Sequence, residues 1–128
     1  MPLPASAQPV CFVLTADRAK AKPFYADVLG LRLLGEDGHA VTFDLGNRTP
    51  LRLTDMPGHS GSGHAVVGWN VADIRSAVQD LAARGVTFKI YEGFGQDADG
   101  IWGSPDGGAK VAWFADPDGN VLSLTQIG

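Results

Sequence analysis

Apolar residues recur along this chain with two different spacings, and the switches between them mark out its elements. Ile74, Ala77, Val78, Leu81 and Ala82 form one stripe, the spacing that gathers side chains on one face of a helix with about 3.6 residues per turn. Asp73 precedes the stripe as an N-cap, its carboxylate able to accept from free first-turn amides. Gly85 follows where a left-handed residue closes a helix. A second stripe, Ala21, Phe24, Tyr25, Val28 and Leu29, runs from a cap at Asp17 to Gly30. Pro23 interrupts it, because proline has no N–H to donate and clashes one turn back. Either the first turn is irregular, or the helix proper begins near Lys22 with Pro23 at its first position.

The other apolar runs are short, bounded by turn residues, and read as strands over 10–15, 31–35, 40–45, 51–54, 65–71, 86–91, 110–114 and 121–126. Asp37-Gly38 between the second and third is a hairpin signal. Residues 57–63, rich in Gly and Ser, have the composition of a flexible linker. Residues 94–108 form a long Gly- and Asp-rich loop that nevertheless carries Ile101 and Trp102, and long loops in compact domains tend to be functional.

The chain repeats itself. Leu14-Thr15-Ala16-Asp17 leads into the first helix, which ends at Leu29-Gly30, and Asn70-Val71-Ala72-Asp73 leads into the second, which ends at Arg84-Gly85. Two such copies are too few for a solenoid and suit a pseudo-symmetric domain of two similar halves. The expected organisation is one domain over 1–128, with module one at about 10–55, a linker at 56–63 and module two at about 64–127.

Composition narrows the function classes. A length of 128 residues with 45% hydrophobic and 19% charged residues fits one globular core. The 17 glycines and 8 prolines are spread along the chain, as turns between short strands would require. No apolar run is long enough to span a bilayer, no basic amphipathic helix suits a membrane surface, and the N-terminus lacks the pattern of a signal peptide. The single cysteine, Cys11, leaves no internal disulfide and fits a reducing cytoplasm; its apolar neighbours suggest a buried structural thiol. With a net charge of −4 and no basic stripe, nucleic acid is not an expected partner.

Two motifs carry a family resemblance. Asp17 with Phe24-Tyr25-Ala26-Asp27-Val28-Leu29-Gly30-Leu31 resembles the Asp…Phe-Tyr…Leu-Gly-Leu signature of the glyoxalase / bleomycin-resistance / extradiol-dioxygenase (vicinal oxygen chelate) superfamily, and Asp116-Pro117-Asp118-Gly119-Asn120 matches its second turn motif. The likeness extends from about Val10 to the end, and Gly68-Trp69, Gly100-Ile101-Trp102 and the run from Ala109 to Phe114 resemble small bacterial members. It implies an α+β fold of two βαβββ modules, each curling into a half-barrel sheet, around a cavity. It also implies a homodimer. The motifs specify the fold and not the chemistry.

Catalytic relatives hold a divalent metal with His, Glu or Gln on the first and last strands of each module. Carried onto this sequence, those positions fall on Val10, Arg52, Val66 and Ser123. Valine cannot ligate, arginine stays protonated, and a neutral serine hydroxyl is a weak ligand. No metal or other cofactor is therefore expected, with one opening for a divalent ion: His64 precedes Val66 by two residues and shares its strand face. His64 reads either as a ligand or as a strand-mouth histidine at the cavity entrance; His39 and His59 read as exposed loop residues.

With no metal, the same positions would line an apolar cavity with sparse polar groups, the recipe of a small-molecule site. Phe12 is in phase with Val10, and Asn70 with Val66. Arg52 could pair with a ligand anion or point to water while Leu53 faces inward. Trp102 could stack on a planar ligand or anchor its loop, Trp69 reads as core, and Trp113 fits either face. Gln96, Asp97 and Asp99 read as solvated. Neither a nucleophile–base pair nor a phosphate loop can be located, so no catalytic residue is assigned. The expectation is a binding protein for a planar or aromatic organic ligand contacted by Arg52, Trp102, Ser123, Phe12, Asn70 and His64. The alternative is a lyase-, isomerase- or dioxygenase-type enzyme of the same superfamily.

Overall fold

The computed structural model describes residues 2–128. The chain divides between His59 and Ser60 into two units, each built on a four-stranded mixed sheet, an α+β architecture. Among the described residues no helix is long and apolar enough to cross a membrane.

In the first unit β1 (Cys11–Thr15), β2 (Arg32–Glu36), β3 (Ala40–Asp44) and β4 (Pro50–Asp55) lie in the order β1-β4-β3-β2. β1 runs parallel to β4, and β3 antiparallel to both β4 and β2. The register sets Val41 beside Leu53 and Phe43 beside Leu51, while Val13 partners Leu53 across the parallel pair. All five are buried on one face, which Tyr25 covers, its ring 6.0 Å from that of Phe43. Strand alternation sends Phe12, Arg52 and Thr42 to the opposite face.

The helical segment against this sheet begins at Arg18, so neither sequence-based alternative for Pro23 holds. α1 (Arg18–Pro23) ends on the proline, and Phe24–Val28 continues as a π-helical turn. Without an N–H, Pro23 leaves the ladder one bond short, and it resumes one residue wider, Leu29 N–H donating to the Phe24 carbonyl at 3.0 Å. Asp17 sits at the N-cap, yet among the described residues its carboxylate accepts no capping bond. Arg18 fastens the segment instead: it binds both Asp55 oxygens at 3.1 and 2.6 Å, Glu36 at 3.2 Å and the Asp37 carbonyl at 2.8 Å.

In the second unit β5 (Ala65–Asn70), β6 (Trp102–Gly103), β7 (Ala109–Ala115) and β8 (Val121–Ile127) take the order β5-β8-β7-β6. α2 (Ile74–Ala83) matches its predicted stripe, with Ile74 and Val78 buried. Asp73 accepts from the Ser76 amide at 3.1 Å, and Gln126 from the Ile74 amide at 2.9 Å. Ala112, Phe114, Leu122 and Leu124 form the buried face of the sheet.

The predicted strand over 86–91 is not one. It is reduced to a bridge between Phe88 and Phe114 and a bond from the Lys89 amide to the Trp113 carbonyl. Trp102–Gly103, read from sequence as loop, pairs with Val111 and Lys110 further along the same strand. One edge of β7 is thus shared by two short pieces with the long loop between them. Gln96 explains the departure. Its side-chain oxygen accepts from the Tyr91 amide at 2.6 Å, and its nitrogen donates to the carbonyls of Lys89 and Gly100, each at 2.8 Å.

Residues 57–63, read as a flexible linker, are tied down at Gly61, whose amide donates to the Asp118 carbonyl at 2.9 Å. A Cβ at Gly61 would overlap the Gly119 carbonyl, so only glycine fits so close to the turn. That turn is built around Asp116, which accepts from the amides of Asp118 and Asn120, both at 2.9 Å, and from the Asn120 side chain at 2.8 Å. Gly119 supplies its positive φ of 82°.

Candidate functional site

The face of the second sheet turned away from α2 is aromatic. Trp113 lies opposite Ser123 on β8, and Trp102 opposite Val111, so alternation along β7 puts both indoles on one side. The segment that follows the Phe88 bridge to β7 adds Tyr91 and Phe94. Trp113 is the hub: its ring centroid is 5.5 Å from Tyr91, 5.9 Å from Phe94 and 6.4 Å from Trp102. Tyr91 and Phe94 are 5.3 Å apart. The first two contacts are close to perpendicular, at 83° and 78°, the edge-to-face geometry that aromatic quadrupoles favour.

Beside this wall is a pocket of about 380 Å³, lined by Tyr91, Phe94, Trp113, His64, Ala65 and Val121 among others. His64 reaches it by a route different from the one expected. β5 begins at Ala65 and its register shifts between Ala65 and Val67, so simple alternation from Val66 does not carry back to His64. Ser123 shares the Trp113 face and leans on β5 where Gly68 leaves room: a Cβ on Gly68 would overlap the Ser123 hydroxyl. Asn70 is exposed at the end of the same strand, partnered with Thr125.

The loop behind the wall is held by side-chain bonds: Gln96, read as solvated, is part-buried, whereas Asp97 and Asp99 keep contact with solvent while also bonding. Besides the Gln96 bonds, Asp97 accepts from the amides of Asp99 and Ile101 at 2.9 and 3.0 Å. Arg75 on α2 grips Asp97 at 2.8 Å and Asp99 at 2.6 Å. These partners hold the Asp97 carboxyl below its ordinary range against the opposing effect of its desolvation. Phe88 and Ile90 turn the other way, toward α2, where with Val78, Ala82 and Val86 they border a smaller cavity of about 240 Å³.

In the first unit Phe12 is 61% exposed on the face opposite the helix and partners Arg52 on β4. Arg52 is already engaged, with Thr42 Oγ1 and Asp37 Oδ2, both at 3.3 Å. The amides of His39 and Ala40, then Arg52, hold the Asp37 carboxyl down at about 2. Arg52 and Asp37 thus form a neutral pair at the end of the β2–β3 hairpin. Cys11 is half-buried and burial pushes its thiol up, which disfavours a nucleophilic thiolate.

The residues at the family's metal-ligand positions do not fit a divalent ion. Val10 and Val66 offer no donor atom, and the Arg52 cation is bound to a carboxylate. Among the described residues no three His, Cys, Asp or Glu side chains are grouped to hold a metal. Sequence reasoning reached Trp102, Ser123 and His64 but missed Tyr91 and Phe94. The available signal was Tyr91-Glu92-Gly93-Phe94, two rings around a glycine at the mouth of the long loop.

The sequence model of the Glyoxalase/Bleomycin resistance protein/Dioxygenase superfamily matches residues 8–124. A comparison with curated proteins gives no match. Among solved structures, TnmS3, an antibiotic binding protein from Streptomyces sp. CB03234, is 27% identical with a TM-score of 0.67, covering 98% of this chain and 99% of that one. A superfamily member from Sphaerobacter thermophilus DSM 20745 is 25% identical with a TM-score of 0.72, over 94% of this chain and 97% of that one. Lactoylglutathione lyase from Agrobacterium tumefaciens, at 22% identity and a TM-score of 0.70 over 96% and 95%, shares the fold. By motif, fold and family match together, the chain belongs to the glyoxalase/bleomycin resistance protein/dioxygenase superfamily.

Proposed function

We propose that this protein binds a small planar or aromatic organic molecule without a family-type metal, at the aromatic wall of the second sheet. The observation that carries this is the convergence of Tyr91, Phe94, Trp102 and Trp113 beside a pocket of about 380 Å³. Apolar walls with a few polar groups are how proteins hold such molecules. His64, Ser123 and Asn70 are the candidate polar groups here. The antibiotic-binding relative supports the same reading, and a cytoplasmic homodimer belongs to it.

The test is metal content and tryptophan fluorescence on one preparation, purified without chelator or histidine tag. The expected result is substoichiometric metal, no selective thermal stabilisation by a divalent ion, and quenching by planar aromatic compounds that also raise the melting temperature. Stoichiometric metal, or stabilisation by one ion alone, would replace this reading with that of a lyase-, isomerase- or dioxygenase-type enzyme. Light scattering across a concentration series tests the homodimer.

A further inference from the structure

The chemical class of the ligand can be narrowed from the shape and charge of the same wall, an inference that rests on the binding reading above. We propose that the pocket takes an uncharged planar aromatic group bearing a neutral hydroxyl or carbonyl, and that it discriminates against both anions and cations. Three aromatic residues at one pocket raise the possibility of a cage for an ammonium group. Such a cage places rings on several sides of the cation, each within about 6 Å of it. Here the rings fill one another's space instead. Tyr91, Phe94 and Trp113 have mutual centroid distances of 5.3, 5.5 and 5.9 Å, the range of rings in direct contact. No interior is left between them, so they offer a ligand a continuous surface to lie on. Phe94, 50% exposed, is its outer edge.

Charge points the same way. Among the described residues no Asp, Glu, Lys or Arg lines this pocket. Arg75, the α2 cation that holds the neighbouring loop, is committed to Asp97 and Asp99. A carboxylate or ammonium group pressed against the wall would shed water and meet no counter-ion, an unfavourable exchange. What the lining does offer is the His64 imidazole and the Tyr91 phenol. A neutral imidazole donates from one nitrogen and accepts at the other, and a phenol does both, so each suits an uncharged hydroxyl or carbonyl.

A matched set of naphthalene probes separates the possibilities: naphthylmethanol, naphthoate and naphthylmethyl-trimethylammonium, titrated against tryptophan fluorescence in mildly alkaline buffer, where imidazoles are neutral. The alcohol should bind at least ten-fold more tightly than either charged probe. Phe94→Ala, at a half-exposed position, should weaken it several-fold while lowering the melting temperature by only a few degrees. A charged probe that equals or exceeds the alcohol, and is itself weakened by Phe94→Ala, overturns the uncharged class while leaving the binding site standing. Binding of the alcohol that ignores Phe94→Ala overturns the assignment to this wall. If none of the three changes fluorescence or melting temperature, the binding reading fails and takes this inference with it.

Discussion

Gly68 lacks a side chain where one would have nowhere to go, since the hydroxyl and carbonyl of Ser123 occupy that space. Gly68→Ala should therefore destabilise the fold by about 1–3 kcal/mol, the usual cost of overpacking, as measured by urea denaturation. Adding Ser123→Gly should recover only part of the loss, because the Ser123 carbonyl also stands in the way. Asp37 is a second residue with a local consequence. Its folded carboxyl titrates at about 2 against an ordinary value of 3.8, so the unfolded chain takes up the proton first as pH falls. The stabilisation is present above 3.8 and is lost as pH falls through that value toward about 2. Asp37→Asn should flatten the stability profile across that window and leave it little changed near neutrality apart from a constant offset.

Between the two helices, the same sequence cue produced different structures. Asp17 and Asp73 both precede a helix, but only Asp73 accepts a capping bond. Asp73→Ala should cost about 1 kcal/mol of unfolding free energy, and Asp17→Ala close to nothing; equal losses would contradict the cap assignment. α2 was legible because its stripe, cap and closing glycine agree over one uninterrupted stretch. The segment at Pro23 was less so, because spacing cannot tell where a ladder short of one bond will widen. Residues 86–91 misled for a related reason. Their strand-like pattern is real, but Gln96, five residues on, takes the Tyr91 amide and the Lys89 carbonyl. No propensity encodes such a side-chain bond. Losing those part-buried bonds in Gln96→Ala should cost about 1–3 kcal/mol and weaken an aromatic ligand along with it. A variant with full stability and altered near-ultraviolet circular dichroism would show that Gln96 sets ring positions without supporting the fold.

For the whole chain, family and α+β architecture were legible, because turn chemistry and aromatic placement serve the backbone and the Ala-Asp lead-in and closing glycine recur in both halves. Asp116-Pro117-Asp118-Gly119-Asn120 is such a case, its carboxylate knitting the turn through three bonds. The site was legible only in pieces. Trp102 could be named as an apolar residue in a polar loop and Ser123 from the family motif, but the hub role of Trp113 depends on where the long loop returns. That return is fixed by Arg75, Asp97 and Gln96, three polar residues with no periodicity to betray them.

The seam of the duplication has a bearing on how such a gene can be cut and joined. Gly61 belongs to the second half in a mechanical sense, since its amide and its missing side chain are both used by the turn at Gly119. A recombination point placed after Gly61 would strip that turn of its neighbour, whereas one before it leaves the support intact. Within what reads as a spacer, the exchangeable positions therefore end short of Gly61.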